Sequence, residues 1–113
     1  MIEIPLLNVP NQRLQCTLGQ QDCTIHVYQR GKRVYMDLDL DDTTLFVGAI
    51  CLPGVQVGGS PYPFRGALIW SDDLAAPDKQ QPPQYEGFRS RWRLLYGTEA
   101  EMADIIAEET LDG

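Results

Sequence analysis

The sequence predicts a mainly β protein, a small antiparallel β-barrel or sandwich of six or seven strands carrying one C-terminal α-helix. Three observations point there. Apolar side chains recur at every second position through three successive stretches, and glycine or aspartate punctuates those stretches at hairpin spacing. Only residues 98–113 change to a helical period. The 113 residues give room for one core, divided as a β domain over 1–97 with an extended N-terminal strand and an acidic C-terminal helix over 98–113.

In Gln12 to Leu18, the residues Leu14, Cys16 and Leu18 alternate with Arg13, Gln15 and Thr17, as in a half-buried strand. Gly19-Gln20-Gln21-Asp22 reads as a turn, after which Cys23, Ile25 and Val27 face one way and Thr24, His26 and Tyr28 the other. Arg30-Gly31-Lys32 supplies the next turn, with Gly31 free to take positive φ. Val34, Met36, Leu38 and Leu40 repeat the alternation until Asp41-Asp42 ends it, and the three strands form a meander.

Thr43 to Leu52 loses the alternation and predicts a strand buried on both faces or bent at Gly48. Val55-Gln56-Val57 reads as a short strand, Gly58 to Pro63 as a loop, and Arg65 to Ser71 as a further buried strand. Asp72 to Gly87, broken by Pro77, Pro82 and Pro83, predicts a long structureless segment of the kind that partners often order. Phe88, Ser90, Trp92, Leu94 and Tyr96 alternate with Arg89, Arg91 and Arg93 to give a last strand. Thr98-Glu99-Ala100-Glu101 then fits a capping box, and Met102, Ile105 and Ile106 follow helical spacing. A helix of about eleven residues is marginal alone in water, so its stripe must dock on this domain or on another chain.

The formal charge is −7, but it is unevenly placed: residues 98–113 hold six acidic side chains and no basic one. The body is nearly neutral, and Arg89, Arg91 and Arg93 form its dense basic cluster. This balance disfavours broad phosphate attraction, from which nucleic-acid binding draws most of its affinity. No apolar run approaches the about twenty residues of a membrane span, and the amino terminus lacks the features of a secretory signal. Cys16, Cys23 and Cys51 are odd in number without C-x-x-C spacing, which predicts reduced thiols, the first two on apolar positions.

The residues offer little for catalysis. Asp37, Asp39, Asp41 and Asp42 fail the calcium-loop pattern, because Asp42 and Gly48 stand where it needs glycine and a bidentate glutamate. Their alternation predicts a solvent-facing strand edge. His26 is the single histidine, so a zinc site is not expected, and alternation points it away from Cys23. No cofactor or metal is implied, and the sequence reads as a non-enzyme.

The opening Met1-Ile2-Glu3-Ile4-Pro5-Leu6, followed by Pro10-Asn11-Gln12 and Leu14, resembles the baseplate plug proteins of contractile-tailed bacteriophages, typified by the cyanophage baseplate plug. The order of later elements is similar too: the Gly19-Gln20 hairpin, Met36-Asp37-Leu38, the strand from Gly48 to Pro53, Gly66-Ala67-Leu68-Ile69, and Leu94-Leu95-Tyr96. The resemblance spans roughly residues 1–97. It implies a structural virion protein of the tail baseplate, assembled in the host cytoplasm and packed near the axis between tail tube and spike. The implied partners are other hub, tail-tube and spike proteins, with copies of the chain in a symmetric ring.

Within that reading three regions are expected to make contacts, joined by the apolar residues Ile105 and Ile106 of the terminal helix. The first is Ile2–Leu7, where Ile2, Ile4, Pro5 and Leu6 form an extended segment able to add to a neighbour's sheet. The second is the Pro-rich segment 72–87 with Tyr85 and Phe88. The third is the stripe Arg89, Arg91 and Arg93, expected to steer onto an acidic surface. Rival readings are an OB-like module for single-stranded nucleic acid, disfavoured by charge, and a small accessory enzyme or inhibitor, for which the sequence offers no nucleophile constellation.

Overall fold

A computed structural model describes residues 1–59 and 63–103. Among these residues, seven strands form two antiparallel sheets. The N-terminal strand β1 (Ile2–Ile4) lies beside β7 (Trp92–Gly97), which pairs in turn with β6 (Ala67–Asp72). The meander β2 (Asn11–Leu18), β3 (Gln21–Arg30), β4 (Arg33–Leu40) and β5 (Thr43–Ile50) makes the second sheet in chain order. The sheets do not close into one barrel. They share one sandwich-like core, with Ile25, Val27, Met36 and Leu38 from the meander and Ile4, Leu68, Trp70 and Leu94 from the other sheet.

The meander follows from its turns. Leu18 pairs with Gln21 across Gly19 and Gln20, both at positive φ, and Leu40 pairs with Thr43 across Asp41 and Asp42, again both positive. Two consecutive left-handed residues give the turn whose twist matches antiparallel strands, and aspartate tolerates that region better than most side chains. Arg30 pairs with Arg33 across Gly31, the one positive-φ residue of that loop.

The apolar stretch from Thr43 departs from its expected burial. It forms β5, the outer strand of its sheet, with Val47 69% and Ile50 45% exposed, while Leu45, Phe46 and Ala49 pack partly on the core. The expected bend at Gly48 is present: its φ is 70°, and the pairing shifts register between Met36 and Leu38. Such bulges twist an edge away from stray pairing. Residues 55–57 form no strand, but Gln56 bridges Ile69, and the N–H groups of Gly54 and Val57 donate to Trp70 and Leu68 carbonyls along β6.

The Pro-rich segment is ordered by its own chain. It contains 3₁₀ turns at Pro77–Lys79 and Tyr85–Gly87. Gln84 donates to the Lys32 carbonyl at 2.8 Å and accepts from Gln29, while Gln29 Oε1 accepts the Tyr85 N–H at 3.0 Å. The capping box forms as the sequence predicts: Glu101 accepts the Thr98 N–H at 3.0 Å and the Thr98 hydroxyl accepts the Glu101 N–H at 3.2 Å. This first helical turn docks on its own domain, because Glu101 also pairs with the Met1 ammonium. Ile105 and Ile106 lie outside the described residues.

The cysteines are free, with Cys23 and Cys51 buried and Cys16 half-buried. Burial pushes the Cys23 thiol up to about 11 and the Cys51 thiol to about 12. The buried Trp70 indole N–H has no hydrogen-bond partner among the described residues, and Trp70 offsets part of the burial that raises the Cys51 thiol.

Candidate partner interface

The three regions expected to make contacts converge on one another in a single chain. Ile2, Glu3 and Ile4 pair with Tyr96, Leu95 and Leu94 of β7. Within the chain the N-terminal segment adds to its own sheet through one of its two edges. Ile4 and Leu6 point inward and are 2% exposed, whereas Ile2 is 55% and Leu7 66% exposed. Pro5 is exposed between them.

The turn after β1 is held by side-chain amides. Gln12 accepts the Leu7 N–H at 2.8 Å and donates to the Leu7 carbonyl at 2.7 Å, copying a strand-like pair of bonds. Asn8 Nδ2 faces the carbonyls of Tyr85, Glu86 and Phe88 at 3.1, 3.3 and 2.9 Å, which ties the N-terminal segment to the end of the Pro-rich segment. Tyr85 is half-buried, and Phe88 is in the core against Trp70, their ring centroids 5.2 Å apart. Phe88 is thus chiefly a packing residue in this chain.

The expected strand does not run through the arginines. Arg89 has φ 69°, Ser90 and Arg91 form a turn, and β7 begins only at Trp92. Consequently the three guanidinium groups point to three different settings. Arg91 forks onto Asp72, Nε to Oδ1 at 2.8 Å and Nη2 to Oδ2 at 2.9 Å, and lies 4.5 Å over the Trp92 ring. The Asp72 side chain is fully buried and also accepts the Gln81 N–H at 2.9 Å. The Arg91 guanidinium holds the Asp72 carboxyl down at about 2, against the opposing effect of burial. Arg93 bonds Glu3 at 2.8 Å and Asp73, and Arg89 approaches Glu3 at 3.4 Å. Three cations meet three carboxylates of the same chain, so the stripe is neutralised internally. Within the chain the arginines thus meet acidic side chains of their own domain, and the paired stripe is not the open basic platform that an OB-like reading needs.

What is left for a partner is narrower. A groove between the N-terminal segment and the arginines is lined by Leu6, Leu7, Asn8, Phe88, Arg89 and Arg93. Beside it, β1 is the outer strand of its sheet, so its outer edge carries backbone groups without a neighbouring strand among the described residues. The match of residues 1–99 to the model of the cyanophage baseplate Pam3 plug gp18 covers this whole assembly of elements. The chain belongs to that baseplate plug family. A comparison with curated proteins finds no match. With plug-family membership comes a structural role in a phage baseplate, and the matched span includes β1, the Asn8 clamp and the three arginines.

Sequence reasoning missed a second polar constellation on the outer face of the meander. His26 Nδ1 lies 3.1 Å from Asp37 Oδ2 and its Nε2 2.8 Å from the side-chain Oδ1 of Asn11. Asp37 also accepts the Tyr28 hydroxyl at 3.0 Å and the Gly48 N–H at 2.8 Å. Burial raises the Asp37 carboxyl, but the Gly48 N–H, Tyr28 and His26 outweigh it and hold it below its ordinary value. Asp37 is therefore a bonded hub of its sheet rather than a merely solvated edge charge. The register signal was available, because His26 stands opposite Asp37 once Gly31 fixes the hairpin.

Proposed function

We propose that this chain is a plug or hub component of a contractile-tail baseplate that acts through subunit interfaces during virion assembly and performs no catalytic step. The observation that carries this reading is the plug-family match over 1–99, which spans both sheets and the N-terminal groove. The physical reading supports it. Polar side chains are used to fix loops onto the body, as Asn8, Gln12 and Gln84 do, which prepares a rigid surface and lowers the ordering cost of association. The exposed residues Ile2, Pro5, Leu7 and Arg89 with the rim residues Arg91, Arg93 and Tyr85 form the proposed contact with hub, tube or spike proteins.

The proposed place is the central axis between tail tube and spike, with copies arranged in a symmetric ring. A reconstruction of purified tails tests it. Density for this chain on the axis, ringed by copies touching tube and spike, is the expected result. A complete baseplate lacking the chain overturns the reading.

A further inference from the structure

The meander sheet has opposite charge at its two ends. At the β3–β4 tip, Arg30, Lys32 and Arg33 crowd into one turn, all exposed, and none has a carboxylate within 4 Å among the described residues. Arg30 rests 5.2 Å from the Tyr28 ring, and Arg33 bonds only the Lys32 carbonyl. Gln84 clamps that same carbonyl, so the tip is braced against the body. Glu86, exposed two residues beyond the clamp, makes no ion pair with the tip.

The other end of the same strands carries Asp22, Asp41 and Asp42, all exposed. Glu99 reaches this end as well, lining a recess with Gln20, Leu40 and Asp41. The basic residue there, Arg65, donates to the Gly19 carbonyl. Ten residues of β3 separate the two poles, about 30 Å at the usual strand rise. Complementary poles at opposite ends of a rigid sheet cannot meet within one sheet. They satisfy each other when copies are placed in sequence, a heterologous contact that closes into a ring or continues as a stack.

We propose that the basic β3–β4 tip is a docking site for the acidic end of a second copy of this chain. Tip cations would face Asp22, Asp41, Asp42 and Glu99. This inference names one contact inside the proposed ring and rests on that reading, but it is tested in solution, apart from any particle.

The test is sedimentation velocity on the purified chain and two variants, each checked for folding by circular dichroism. One reverses the tip with R30E, K32E and R33E. The other neutralises the acidic end in the full chain with D22N, D41N, D42N and E99Q, because asparagine keeps the left-handed turn at 41 and 42. The wild-type chain is expected to associate with rising concentration, about tenfold more weakly in high salt than in low salt, as screening requires. Each variant alone is expected to be monomeric. Mixed, they should form one-to-one dimers and nothing larger, since one supplies an intact tip and the other an intact acidic end. A wild-type chain monomeric at every concentration, association that survives tip reversal, or a mixture that does not dimerise overturns the proposal. The chain's absence from baseplates would instead remove the assembly reading and leave these measurements standing.

Discussion

Two clusters of three cations lie in this chain, and they have opposite fates. Arg89, Arg91 and Arg93 are met by Glu3, Asp72 and Asp73 from strands and turns distant in sequence. Arg30, Lys32 and Arg33 stand on a hairpin tip that no carboxylate of the described residues pairs with. The contrast teaches that density of charge along a chain does not measure charge available to a partner. Availability depends on what the fold brings alongside, and the cluster that looked the more prominent in sequence is the one already consumed.

The sharpest break of this comparison is at Arg91. Replacing it in R91A leaves the Asp72 carboxylate buried with backbone donors alone, and a severed buried pair costs about 3 kcal/mol. K32A, at the open tip, is expected within about 0.5 kcal/mol of wild type. Urea denaturation of both variants decides it, and equal losses would erase the distinction between the clusters.

Acid titration sharpens the same point. The Asp72 carboxyl is held at about 2, below its unfolded value near 3.9, so its contribution is present above about pH 4. It is lost as pH falls from there through about 2. Stability of the wild-type chain should therefore decline over that window by on the order of 2 kcal/mol from this group, with Asp37 adding in the same direction. In R91A the decline should flatten, and an unchanged slope would assign the acid sensitivity elsewhere.

Smaller effects follow at the exposed pairs. R93A removes bonds to Glu3 and Asp73 at a half-exposed site, with an expected loss of about 0.5–1 kcal/mol that shrinks in salt. R89G has the opposite sign. Arg89 holds φ 69° for one long ion pair, and glycine relieves the left-handed penalty, so a gain of about 0.5 kcal/mol is expected as a raised Tm. A lowered Tm would show that the Arg89–Glu3 contact outweighs the backbone effect.

Much of the fold was legible because local rules acted alone. Alternation placed Ile25, Val27, Met36 and Leu38 inward, and Gly19, Gly31 and Asp41-Asp42 set the hairpin registers. The capping box at Thr98 and Glu101 was equally local. Of the two readings of Thr43–Ile50, the bend at Gly48 holds and burial on both faces does not, because apolar composition does not say whether a strand is central or outermost. The stripe at Arg89–Arg93 was misjudged because period-two spacing continued through a turn that backbone geometry, not side-chain pattern, creates at Arg89. Asn8 gave no sequence signal for its role, since its carbonyl partners lie nearly eighty residues away.

The sequence by itself determined the β class, the meander, the capped helix start and the linear pattern that marks the plug family. These rest on side-chain period and turn chemistry, which act over a few residues. Long-range packing alone set β1 against β7, buried Asp72 beneath Arg91 and, among the described residues, paired one basic cluster with carboxylates and left the other without them. Those outcomes depend on long-range pairing, where a charge finds its partner through the packing of two sheets and not through its neighbours in the chain.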